Sequence, residues 1–173
     1  MKTKVRTLAV VVSVMMLAAT GRADKPATAG VPSETVTKPV QLALFPPDLQ
    51  LVSEEQSISG LRLNIYGRNQ DVTGVDIGLV HETLGNYTGV EFGLVNMVHG
   101  EMHGLQLGGI FSDSKTHVSG LQVGIVNTSA SVRGVQIGLV NLADDMTGFQ
   151  FGLFNQIKNK EVLPVLPLIN ANF

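Results

Sequence analysis

Along most of the chain, apolar and polar residues alternate within one recurring phrase: GLRLNIYG, GVDIGLVH, GVEFGLVN, GLQLGGIF, GLQVGIVN, GVQIGLVN and GFQFGLFN. The phrases open at Gly60, Gly74, Gly89, Gly104, Gly120, Gly134 and Gly148, in steps of 14, 15, 15, 16, 14 and 14 residues. Self-similarity at a short, nearly fixed period marks a solenoid or a related array. With the opening glycine as position zero, positions one and three are apolar in every copy, and position two is polar: Arg62, Asp76, Glu91, Gln106, Gln122, Gln136 and Gln150. Such alternation predicts a strand with one buried face, and the expectation is that the apolar residues fill the interior. Position four is glycine in every copy except the first, which has Asn64. The apolar pair after it, as in Leu139-Val140, breaks the alternation and predicts a bend or bulge. Position seven is asparagine at Asn96, Asn127, Asn141 and Asn155, a residue suited to turns that forms a column if the copies stack in register.

A copy of about fifteen residues buries too little surface to offset its own ordering, so neighbouring copies must supply backbone pairing and cover. The expected fold is therefore all-β, a single β-solenoid of about seven coils of 14–16 residues with capping segments. The alternative is an antiparallel meander, or a small eight-stranded barrel completed by the C-terminal segment. An outward stripe of positions one, three and five is short for a lipid-facing strand of about 9–11 residues, and the connections are of nearly equal length. The chain also has no tryptophan and two tyrosines, where a membrane barrel carries aromatic girdles.

The flanks differ from the array. Lys2, Lys4 and Arg6 precede an uncharged apolar run from Leu8 to Ala19, followed by Gly21-Arg22-Ala23. A basic start, a run too short to span a bilayer and a small-residue site predict a signal peptide over residues 1–23. Residues 24–38 read as a linker rich in Pro, Thr, Ala and Ser, residues 39–59 as an N-terminal cap, 60–160 as the seven-copy array and 161–173 as a C-terminal cap strand. Open arrays need atypical ends to shield the last apolar face and strand edge.

Composition narrows the function classes. The chain has no cysteine, which excludes disulfide scaffolds and thiolate chemistry. Thirteen of its 19 glycines sit at position zero or four, so the glycine excess belongs to the repeat. Cleavage after Ala23 leaves eight scattered basic residues against 14 acidic ones, a net charge of about −6, which argues against a nucleic-acid partner. No later apolar stretch is long enough for a transmembrane helix.

The phrases, GVQIGLVN at 134–141 above all, resemble the bacterial surface-repeat family first labelled from leptospiral sequences. The similarity extends to LALFPPDLQLVSEEQSISGLRLNIYGRNQDVTG at 42–74 and to LPVLPLINANF at 163–173, and so covers roughly residues 39–173. It implies an exported envelope or surface protein and carries no catalytic or ligand residue with it. The fourth copy departs from the pattern, with Gly109-Ile110-Phe111 in place of Leu-Val-Asn.

Candidate chemistry is sparse. His99, Glu101 and His103 form HGEMH, which could hold zinc, but Gly100 and a strand or turn context lack the helical face that the HExxH arrangement needs. Asp144 and Asp145 could act as an acid pair, or with Asp113 bind calcium, yet all three fall in connecting segments. No nucleophile elbow or phosphate loop is present. The expectation is a non-enzymatic exported protein of the periplasm, outer membrane or cell surface, without catalytic, cofactor or metal residues. Its exposed polar face would be Arg62, Asp76, Glu91, Gln106, Gln122, Gln136 and Gln150, presented to an envelope polymer, a glycan or another protein.

Overall fold

A computed structural model describes residues 37–45 and 49–173. The signal peptide expected at 1–23 and most of the expected linker lie outside the described residues; the linker's last two residues, Thr37 and Lys38, belong to the first strand. Nine strands follow in chain order: β1 (Thr37–Phe45), β2 (Leu49–Gln50), β3 (Ser57–Asn69), β4 (Val72–Thr83), β5 (Tyr87–Val98), β6 (Met102–Val123), β7 (Val126–Ile137), β8 (Val140–Ile157) and β9 (Val165–Asn172). They form one sheet in the order β2-β1-β3-β4-β5-β6-β7-β8-β9.

Every pairing from β3 to β8 is parallel. The register puts like on like, Gly60 against Gly74, Gly74 against Gly89 and Gln122 against Gln136. Each copy is one coil of a β-solenoid, and the antiparallel meander and barrel do not describe the array. The fourth copy, one residue longer, is accommodated by a shift in register between Gly93 and Val95, so Phe111 lies opposite Val95 and Ser112 opposite Asn96 despite the altered phrase. At one end β1 adds a further parallel strand, Val40 opposite Leu61, and is itself flanked by antiparallel β2. At the other end β9 closes the sheet antiparallel to β8, with Pro167 in an outermost strand where a missing N–H is tolerated.

The faces are reversed relative to expectation. Arg62, Asp76, Glu91, Gln106, Gln122, Gln136 and Gln150 are all fully buried, whereas position-three Ile77 is 46% and Phe92 44% exposed. Two facts of the chain explain this correction. Alternation states that the two faces of a strand differ, not which one is inside. The residues two places before the opening glycine share the parity of position two, and they are apolar: Ile58, Val72, Tyr87, Met102, Val118, Val132 and Met146 form the buried core column. A second inward column runs through Val98, Ala143 and Ile157. The interior thus holds an apolar seam beside polar columns, and positions one, three and five face outward.

Glycine at position zero is dictated by backbone geometry. Gly89 has a φ of 142°, and a Cβ there would lie 1.9 Å from the carbonyl oxygen of Gly74 in the preceding coil. L-residues avoid such φ values, and the approach leaves no volume for a side chain. At position four the corner is filled instead by polar side chains: a Cβ on Gly93 would meet Asn96 Oδ1 at 2.3 Å and His81 at 3.2 Å. Gly109, by contrast, would meet the flexible tip of Leu94 at 3.0 Å. Gly89→Ala is therefore expected to cost at least about 2 kcal/mol in urea unfolding, while Gly109→Ala changes stability by less than about 1 kcal/mol. Equal midpoints for the two variants would contradict this account of the stacking.

Candidate functional site

The chemistry-bearing residues converge in the interior of the first coils. Position two places Arg62, Asp76 and Glu91 in successive strands β3, β4 and β5, in one inward column. Position seven of the second copy adds His81 from the far side of the lumen. Arg62 donates to Asp76 through Nε at 2.7 Å and also through Nη2. It reaches Thr83 Oγ1 at 3.2 Å and the Glu82 carbonyl at 3.3 Å, and its Nη2 lies 3.9 Å from Glu91 Oε1. Asn64 Nδ2 donates to the other oxygen of Asp76 at 2.9 Å. His81 Nδ1 lies 2.7 Å from Asp76 Oδ2 and 3.4 Å from Glu91 Oε1. All four ionisable side chains are fully buried.

Burying charge is costly unless it is paired, and here pairing prevails. Burial alone would raise the Asp76 carboxyl; the Arg62 guanidinium and His81 outweigh it and hold Asp76 below the usual carboxylate range. Burial alone would lower His81, but the carboxylates of Asp76 and Glu91 outweigh it and push the imidazole up to about 9. Each shift favours the charged form of its own group, so His81 and Asp76 face each other as an ion pair.

Asp76, His81 and Glu91 are also the residues among those described that come close enough to share a metal ion, with ligand atoms within 4.8 Å of one another. The role of the cation is already filled there, because the guanidinium of Arg62 donates twice to one oxygen of Asp76 and reaches Glu91. A divalent ion would have to displace a fully buried arginine. The arrangement is an internal ion cluster that ties three coils together.

Beyond Glu91 the column continues as an amide ladder whose direction is chemically fixed. A carboxylate accepts only, so Gln106 must donate its Nε2 proton to Glu91, as it does at 2.9 Å. That leaves the Gln106 oxygen to accept from Gln122 at 2.8 Å, Gln122 to accept from Gln136 at 2.8 Å, and Gln136 to accept from Gln150 at 2.8 Å. Position seven carries a second ladder of the opposite sense: Asn127 donates to Asn141, and Asn141 to Asn155, each at 2.7 Å. The other amide proton of each donor goes to a backbone carbonyl, that of Ile137 or Phe151, at 2.9 Å. Where this column changes residue type, at His81, Asn96 and Ser112, the ladder does not form, and the Asn96 amide is buried without a hydrogen-bond partner.

The other sequence candidates stay apart. His103 pairs with Glu101 at 3.2 Å on the surface, but His99 turns to Glu82 at 3.1 Å, so HGEMH does not converge. Asp144 pairs with Lys158 at 3.2 Å, Asp145 accepts from Asn159 at 3.1 Å, and Asp113 is bound by Lys115 and Thr128. Asp113, Lys115, Asp144 and Lys158 line a shallow surface recess of about 340 Å³ in which each carboxylate already faces a lysine. His81 was missed as a member of the cluster; the signal for it was a histidine at position seven, where four later copies carry asparagine.

No family model, curated protein or solved structure matches this chain. Among the described residues no helix is long and apolar enough to cross a membrane.

Two tests follow from the interior. Gln136→Ala removes one rung, leaves the amide of Gln150 without its acceptor and opens a cavity, so a loss of about 2–3 kcal/mol is expected in chemical denaturation; a loss under about 0.5 kcal/mol would place Gln136 on the surface. For His81, the raised folded pKa means that its contribution is fully present below pH 6.5 and is lost as pH rises through about 9. Asp76 acts in the opposite sense: its contribution is present above about 3.8 and is lost as pH falls through its depressed folded value. The urea midpoint should therefore fall between pH 6.5 and 10, and His81→Gln should flatten that alkaline limb while lowering stability at pH 6.

Proposed function

We propose that this protein is an exported bacterial envelope or surface protein with a non-enzymatic, structural or binding role. The observation that carries the binding role is the outward face of the array. Leu61, Val75, Leu105 and Phe149 at position one, and Leu63, Ile77, Phe92, Ile137 and Phe151 at position three, are each 36–46% exposed. Position five adds a parallel row, from Ile65 at 43% to Leu153 at 67%. Contiguous apolar surface on this scale marks an interaction site. The polar residues expected to face a glycan or envelope polymer are consumed inside, so the face on offer is apolar and suits a protein surface better than a carbohydrate.

Export is supported by the basic start, the apolar run and the small-residue site before Asp24, together with the resemblance of the repeat phrases to the bacterial surface-repeat family. A non-enzymatic role is supported by the closure of the ion cluster, whose four side chains have no exposed surface for a substrate to reach, and by the lysine and asparagine partners of Asp144 and Asp145. Fractionation of native cells with mass spectrometry of the N-terminus tests the reading: the protein should accompany the envelope or the medium with Asp24 as its first residue. A cytosolic protein that retains residues 1–23 would defeat it.

A further inference from the structure

We infer that the outward apolar face is the contact surface for a second copy of this chain, packed sheet against sheet about a twofold axis. The inference rests on the apolar face just described as an interaction surface and names its occupant.

Three observations favour a second copy. The first is area. Seven coils at about 4.8 Å spacing give a face roughly 30 Å long. Its more exposed side chains, showing about two-fifths or more of their surface, expose on the order of 1,000 Å² per protomer, against the roughly 800 Å² per partner of a standard stable interface. The contact also continues beyond the repeats, since Val40 and Leu42 of β1 lie beside Leu61 and Leu63, and Ile169 of β9 beside Phe151.

The second observation is charge. The row bordering position one is Ser59, Thr73, Thr88, His103, Ser119, Arg133 and Thr147, with one permanent charge in seven residues. An isologous contact sets each patch against its own copy, so a charged border would repel itself, whereas this border does not. The third is the chemistry a lipid surface would require. A membrane-seated face carries tryptophan or tyrosine at its margin and basic residues around it. This chain has no tryptophan. Tyr87 is buried, Tyr66 hydrogen-bonds to Glu82 at 2.8 Å, and Arg133 is the lone basic residue of the border other than His103.

The face is also suited to self-packing in shape. Parallel coils in register carry Val, Leu, Ile and Phe in straight rows, and two such faces about 10 Å apart interdigitate as sandwich sheets do. A twofold axis lying in the plane between the faces, perpendicular to the two solenoids, runs them antiparallel. The overlap is greatest when the axis passes through the central copy, with the second copy of each protomer meeting the sixth of its partner.

Sedimentation of the purified chain over a micromolar concentration range tests this. A dimer is expected, reduced at least tenfold in association by Ile77→Lys, which puts a charge in the middle of the three apolar rows on a side chain that is already 46% exposed and so leaves the strand signal in far-ultraviolet circular dichroism unchanged. Thr88→Lys, in the border, should leave most of the association intact. A monomeric wild type, or an Ile77→Lys variant that dimerises as well as wild type, would overturn the inference. Flotation of a monomer with phosphatidylethanolamine–phosphatidylglycerol vesicles, lost in Ile77→Lys, would overturn it in favour of a lipid surface while keeping the face as a binding site. A cytosolic location would defeat the export reading and leave the dimer standing.

Discussion

The structure depends on a polar group finding its partner one coil away. An interior lined with glutamine, asparagine and four ionisable side chains is unfavourable unless every donor meets an acceptor, and in a parallel stack the neighbour sits at the same position one strand spacing above. Repetition satisfies that condition where the same residue recurs from coil to coil, and it fails where the column changes type, at Asn96. Gln122, Gln136 and Gln150 each donate to the residue before them at 2.8 Å because the register places identical side chains side by side. The glycine column serves the same register, since the close approach of Gly89 to the Gly74 carbonyl admits no side chain and no slip.

Once the interior is polar, strand alternation makes the exterior apolar. Positions one and three cannot turn inward while position two does. The protein therefore carries its hydrophobic surface outside its own core, and the buried apolar seam through Val72, Tyr87, Met102, Val118 and Val132 supplies the hydrophobic burial that the coil itself retains.

The period, the strand character and the glycine corners were legible in the sequence because each is a local property of the repeat. The in-out sense was not, because a three-residue alternation has two solutions of equal local quality. Evidence to choose between them was present two residues upstream of each glycine, in the apolar run from Ile58 to Met146, and in the order of the position-two residues themselves. Arg62 followed one period later by Asp76 places opposite charges at adjacent rungs, an arrangement with little purpose in water and a strong one inside. His81 was hidden for a different reason. Its partners come from position two of its own and the following copy, across the lumen, a proximity that no linear spacing displays. HGEMH looked like a site because its residues are close in sequence, yet the winding of the coil sends His99 and His103 to different acidic partners.

The fixed sense of the glutamine ladder makes the coils unequal as units of descent. The rungs from Gln106 to Gln136 are interchangeable, each accepting from one side and donating to the other, so an additional glutamine-bearing coil inserted among them preserves every bond of that ladder. The coils carrying Arg62, Asp76 and Glu91 have no such freedom, because duplicating any one of them adds a buried charge without a partner. A chain built this way can lengthen or shorten by whole copies only on the C-terminal side of Glu91, and its charged end is the fixed origin from which the array is counted.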